Sequence, residues 1–165
     1  MSSWRTKVNK FPEMKTRIKN IGKKSVTVGC LNGEHARLAS IHEYGCEIRI
    51  TEKMRKWLHA NGLHVKDTTT VIKIPERAFL RNGHDENIDR ILNQTERALG
   101  LVVSGEMSVD DMLDLCGQQL ATAIKTYMRD LSSPPNHPFT KERKGSSNPL
   151  IDGGGLLESI TWKRE

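Results

Sequence analysis

The chain has 165 residues, with 26 Lys and Arg against 20 Asp and Glu for a formal net charge of +6, and a pI near 9.3. That length suits one compact domain with a long loop or tail, and no stretch approaches the roughly 20 apolar residues that a membrane span requires. A hydrophobic share of 36% and a charged opening segment, Met1 to Lys19, argue against a secretory leader and predict a polar, soluble, cytoplasmically made protein whose basicity suits nucleic acid or an acidic protein surface.

Residues 1–24 form a basic segment with Lys7, Lys10, Lys15, Arg17, Lys19, Lys23 and Lys24. Met14, Ile18 and Ile21 are spaced for one face of a short helix after Pro12, with Gly22 as its stop. Ser25 to Leu31 alternates, Val26, Val28 and Cys30 facing one way, which predicts a strand with one buried face. Asn32-Gly33 signals a turn. From Glu34 the spacing of Ala36, Ala39 and Ile41 suits a short helix of small residues, capped by Gly45 in the left-handed region. Cys46 to Thr51 reads as a strand through Ile48 and Ile50. A brief helix from Glu52 to Ala60 follows, with Met54, Trp57 and Leu58 inward, ending at Asn61-Gly62.

Leu63 to Ile74 is then predicted as the returning strand of a long hairpin over 46–75, with a β-branched run from Thr68 to Ile74. Pro75 stops it, having no N–H to give to a ladder. At the resulting corner Phe79 and Leu80 are expected to anchor against the core while Arg77 and Arg81 stay at its edge. Helical spacing resumes at Ile88, where Ile91, Leu92, Thr95 and Leu99 make a stripe that Gly100 or Gly105 ends.

The longest periodic signal begins at the N-cap Ser108, with Asp110, Asp111 and Asp114 favouring the positive end of the helix dipole. Val109, Met112, Leu113, Cys116, Leu120, Ala123, Ile124, Tyr127, Met128 and Leu131 recur at helical steps until Ser132-Ser133-Pro134-Pro135. Residues 132–155 show no periodicity and carry a basic patch of Lys141, Arg143 and Lys144. Connections of that length are usually functional or disordered. Leu156 to Trp162 closes the chain as a strand, with Ile160 and Trp162 on one side. The fold class is therefore α+β, a single domain over 1–165: the basic segment 1–24, a core over 25–131, an irregular arm over 132–155 and a C-terminal strand over 156–162, with a small antiparallel sheet and its hairpin on the long helix.

Chemistry-bearing patterns are sparse. Cys30, Cys46 and Cys116 lack paired spacing and suit free thiols. His42-Glu43 suggests a zinc-protease helix, but the second histidine is missing, and Gly45 argues against His42 and Cys46 sharing a metal on a continued helix. His35 and His42 suit a solvated edge. The Asp110, Asp111 and Asp114 cluster is explained by the helix dipole rather than by a divalent ion. Gly153-Gly154-Gly155 lacks the lysine of a phosphate loop and suits a flexible joint. The pattern predicts no enzyme, no cofactor and no metal site.

Three segments resemble, in order, those of one family. Ile74-Pro75-Glu76-Arg77-Ala78-Phe79-Leu80 resembles the I-P-x-R-P-F-L segment of the virion morphogenesis or tail-completion family of tailed bacteriophages. Ala39-Ser40-Ile41-His42-Glu43-Tyr44-Gly45 is similar to its A-x-I-H-E-Y-G element, and Asn148 to Trp162 to its P-L-I-D-T-G-x-L-x-x-S-I element. Glu76 and Ala78 stand where that pattern has a small residue and a second proline, and Gly153 where it has threonine.

The resemblance implies a structural virion protein of the neck or upper tail, a tail-completion or head-tail connector subunit made in the host cytoplasm. It implies a homo-oligomer, about six copies in a ring, between neighbouring neck or connector proteins and tail-tube or tail-terminator proteins. The hairpin and the arm would then supply the subunit interface, through His42, Tyr44, Ile48, Ile50, Pro149, Leu150, Ile151 and Leu156. The alternative is a basic protein that binds DNA without sequence specificity, with Lys141, Arg143 and Lys144 facing phosphates. In a ring, such residues would face the passing genomic DNA.

Overall fold

A computed structural model describes residues 10–31 and 33–165. The basic opening through Asn9, with Lys7, and the Asn32 half of the expected turn lie outside the described residues. The α+β architecture holds, and the long helix packs on a sheet.

The first helix, α1 (Phe11–Ile21), carries Pro12 in its first turn and stops at Gly22. Strand β1 (Val26–Cys30) leads to α2 (Gly33–Tyr44), which ends where Gly45 adopts φ +71°. Strand β2 (Cys46–Arg49), α3 (Glu52–Ala60) and β3 (Val71–Ile74) form the hairpin lobe. Its register pairs Cys46 with Ile74 and Ile48 with Ile72, so the isoleucines share one face. Helix α3 starts at a Thr51 cap, whose hydroxyl accepts from the Met54 N–H at 3.2 Å.

The returning strand is shorter than the β-branched run predicts. The Thr70 carbonyl still accepts from the Ile50 N–H at 2.9 Å, but residues 63–69 form no ladder and α3 engages several of their backbone groups. The Arg55 guanidinium donates to the carbonyls of Val65 at 3.2 Å, Lys66 at 2.7 Å and Thr69 at 2.7 Å. The His59 Nε2 lies 3.1 Å from the Val65 amide nitrogen.

After the corner a helix that periodicity missed, α4 (Phe79–Asp85), precedes α5 (Ile88–Ser104) and α6 (Val109–Asp130). Helix α5 ends at Gly105, with φ +88°. The 22 residues of α6 span about 33 Å. Its start is capped by Ser108, whose Oγ accepts from the Asp111 N–H at 3.0 Å and donates to the Asp111 carboxylate at 2.7 Å.

Helix α6 serves two cores. Its first half packs Met112 and Leu113 against Ala98 and Val102 of α5, with Ile21 of α1 and Val26 of β1 at the margin. Its second half packs Ala121, Ile124 and Met128 against Phe79, Ala39, Leu150, Leu156 and Ile160.

The segment after α6 is irregular over most of its length, as expected, and is docked on the chain itself. It contains α7 (Pro138–Lys144) and the single turn α8 (Gly155–Glu158), which replaces the start of the expected closing strand. Strand β4 (Ile160–Arg164) pairs antiparallel with β1, Cys30 opposite Ile160 and Val26 opposite Arg164. The four strands thus form two separate ribbons, β1 with β4 on α6 and β2 with β3 in the hairpin lobe. Among the described residues no helix is long and apolar enough to cross a membrane.

Candidate functional site: the corner knot and the basic aromatic lobe

The corner between β3 and α4 is tied by two charged side chains that sequence reasoning did not bury. Arg77 is only 4% exposed, so it sits inside the corner rather than at its edge. Its guanidinium joins three distant pieces of chain, donating to His42 Nδ1 at 2.9 Å, the Asn136 side-chain oxygen at 2.9 Å and the Pro134 carbonyl at 3.3 Å. Its own amide donates to the His42 carbonyl at 2.8 Å. Among the described residues no carboxylate lies within 4 Å of it, so neutral acceptors alone solvate this cation. Burial accordingly lowers its pKa.

His42 responds to the same surroundings. Burial first, then the positive charges of Arg77 and Lys144, lower its pKa to about 4, so at neutral pH the ring is uncharged and its Nδ1 accepts from Arg77. Lys144, whose pKa burial and Arg77 also lower, donates to the Asn148 carbonyl at 2.9 Å. A hollow of about 230 Å³ lies beside these groups, between the β3 end and residues 135–140. The His42 and Cys46 pair does not form on one helix, because Gly45 ends α2 and Cys46 opens β2.

Glu43, 2% exposed, performs the second tie. Its carboxylate accepts from the amides of Leu80 at 2.8 Å and Arg81 at 3.2 Å and from Arg81 Nε at 2.9 Å. It therefore caps α4, whose own N-cap residue Ala78 offers no side-chain acceptor, and places an anion where free N–H groups and the helix dipole favour one. Arg81 remains exposed, pairs with Glu76 as well, and stacks 5.2 Å over the Tyr44 ring. Phe79 is fully buried, as expected of the anchor.

Ala78 itself has φ +44° and ψ +39°, a left-handed conformation that costs an alanine about 1–2 kcal/mol. Proline, locked near −65°, cannot take it, so this corner differs in backbone from one with proline at that position. Gly45 lies against the same corner. A Cβ there would meet the Ile74 carbonyl oxygen at 2.8 Å and the Glu76 nitrogen at 2.9 Å.

The residues expected to form a subunit interface separate into two groups. Tyr44 and Ile48 are exposed, and His42, Ile50 and Ile151 are half-buried. Pro149, Leu150 and Leu156 are buried in the chain's own structure, so their apolar surface is already consumed without a neighbour. The segment is held there by Asn148, whose side-chain NH₂ donates to the carbonyls of Met128 at 2.9 Å and Arg129 at 3.0 Å at the end of α6. Its oxygen accepts from the amides of Leu150 at 2.8 Å and Ile151 at 3.0 Å.

The basic patch gains aromatic partners that proximity in sequence did not show. Arg143 donates to the Asn61 side-chain oxygen at 2.8 Å, joining α7 to the end of α3. Its guanidinium carbon lies 5.5 Å from the Trp57 ring centre and 5.7 Å from that of Phe139. Trp57 faces outward at 52% exposed, instead of inward with Leu58. Lys141 and Lys144 are half-buried, leaving Arg143 as the exposed cation of the three. Together, residues 46–75 and 138–144 hold nine Lys and Arg against four Asp and Glu. No protein-family model, curated protein or solved structure matches the chain.

Proposed function

We propose that this chain is a structural, non-catalytic subunit of a phage neck or upper tail, a tail-completion or connector protein that works as a closed ring of about six copies. The observation that carries the reading is the meeting of the three resembling segments, far apart in sequence, in one core. Ala39 comes from the first, Phe79 from the second, and Leu150, Leu156 and Ile160 from the third, all in a single cluster. A pattern shared with a family is expected to mark the residues that build its common scaffold. In this reading the hairpin lobe and the adjoining end of α2 meet neighbouring copies, through exposed Ile48 and Tyr44, while neck or connector proteins and tail-tube or tail-terminator proteins lie on either side.

Sedimentation velocity and negative-stain microscopy test the proposal. A closed species of fixed copy number, alone or with neck proteins from the same phage, is the expected result. A chain that stays monomeric at tens of micromolar with those proteins present contradicts it.

The lobe also favours a second reading, contact with DNA phosphates without base readout. Its support is Arg143 stacked on Trp57 and Phe139 in a lobe of net positive charge. Aromatic faces and guanidinium groups together suit nucleic acid. Binding to random duplex that weakens steeply with salt supports this reading, and no binding at low salt removes it.

A further inference from the structure

We propose that the outer face of α3 docks on the outer stripe of α5 in a second copy of the chain, head to tail; this deepens the ring reading above and rests on it. Each face is incomplete in the same way. On α3, Lys53, Lys56 and Trp57 project together into solvent, with Arg143 stacked on the tryptophan. On α5, Leu92 is 56% exposed and Leu99 37%, two turns apart on one side of the helix. Asp89 and Glu96, seven residues apart and both exposed, run beside them.

One face is thus an aromatic centre with a basic margin, and the other an aliphatic centre with an acidic margin. Buried Trp and Arg are the side chains that most often dominate interface energy, and opposite margins fix the register of approach. Within one chain the two helices make no more than marginal contact with one another. Because the faces differ, each copy offers one and receives the other, which is the arrangement that generates closed rings.

Two double variants test the contact, Lys53→Glu with Lys56→Glu, and Asp89→Lys with Glu96→Lys. All four side chains are exposed, and circular dichroism with thermal melting checks that the fold is kept. By sedimentation velocity and native mass spectrometry each variant alone is expected to self-associate at least tenfold more weakly than the wild type. An equimolar mixture regains assembly, since each variant then presents what the other can receive, and so does the chain carrying all four changes.

If both variants assemble like the wild type, the contact is wrong while the ring reading stands. A stripe occupied by the chain's own first nine residues would give that same result. If the wild type never assembles, the ring reading fails and the contact with it. If Lys53→Glu with Lys56→Glu loses only duplex DNA binding and keeps its copy number, the α3 face belongs to nucleic acid and the contact is overturned.

Discussion

His42 holds a neutral ring between two cations, and this makes the corner sensitive to acid. With a folded pKa of about 4 against 6.5 for the free side chain, the unfolded chain takes up a proton that the folded one refuses as pH falls from 6.5 to 4. Stability is therefore fully present above pH 6.5, declines through that window, and stops declining below about 4. After discounting for partial exposure the loss is about 1–2 kcal/mol. Melting temperature followed from pH 7 to 4 should show it, and His42→Asn, which keeps an acceptor near the Nδ1 position without titrating, should flatten it. Ala78 gives a second expectation at this scale. Ala78→Pro, although it would restore the resembling segment's proline, should cost about 3 kcal/mol or more in a denaturant titration, because its ring forbids φ +44°.

The elements meet closely where glycines remove a side chain. At Gly83 in α4 a Cβ would lie 2.9 Å from the Ile124 Cα in α6, and backbone cannot step aside as a side-chain tip can. Gly83→Ala should separate the two helices and cost about 1–3 kcal/mol, read as a lower urea midpoint with an unchanged slope. Helices α1, α2, α5 and α6 were legible because each repeats its apolar positions over several turns. Helix α4 was not, because it has seven residues with a glycine inside and its cap, Glu43, comes from 37 residues upstream. The run before the corner misled for the opposite reason. Thr68 to Thr70 has strand propensity, but Arg55 had already engaged the carbonyls nearby.

Across the whole molecule, the segment after α6 changes the picture from a loose limb to a fastened return. Its polar composition concealed this, since a single amide, Asn148, satisfies groups on both sides of the joint. The Leu150 and Ile151 amides should be protected from hydrogen exchange in the monomer, before any assembly, and Asn148→Ala should expose them and cost about 2 kcal/mol. The candidate site was legible only in part. Phe79 as a buried anchor follows from pattern. The burial of Arg77 does not, because its acceptors Pro134 and Asn136 lie 57 and 59 residues away. The outward turn of Trp57 likewise depends on Arg143, brought from α7.

The ribbon of β1 and β4 joins residues 26–30 to residues 160–164, across nearly the whole polypeptide. Bringing two such remote stretches together restricts the intervening chain before any contact between them is gained. Refolding from denaturant should therefore be slow to finish, with α5 and α6 acquiring their helical signal early and Trp162 reaching its native fluorescence last.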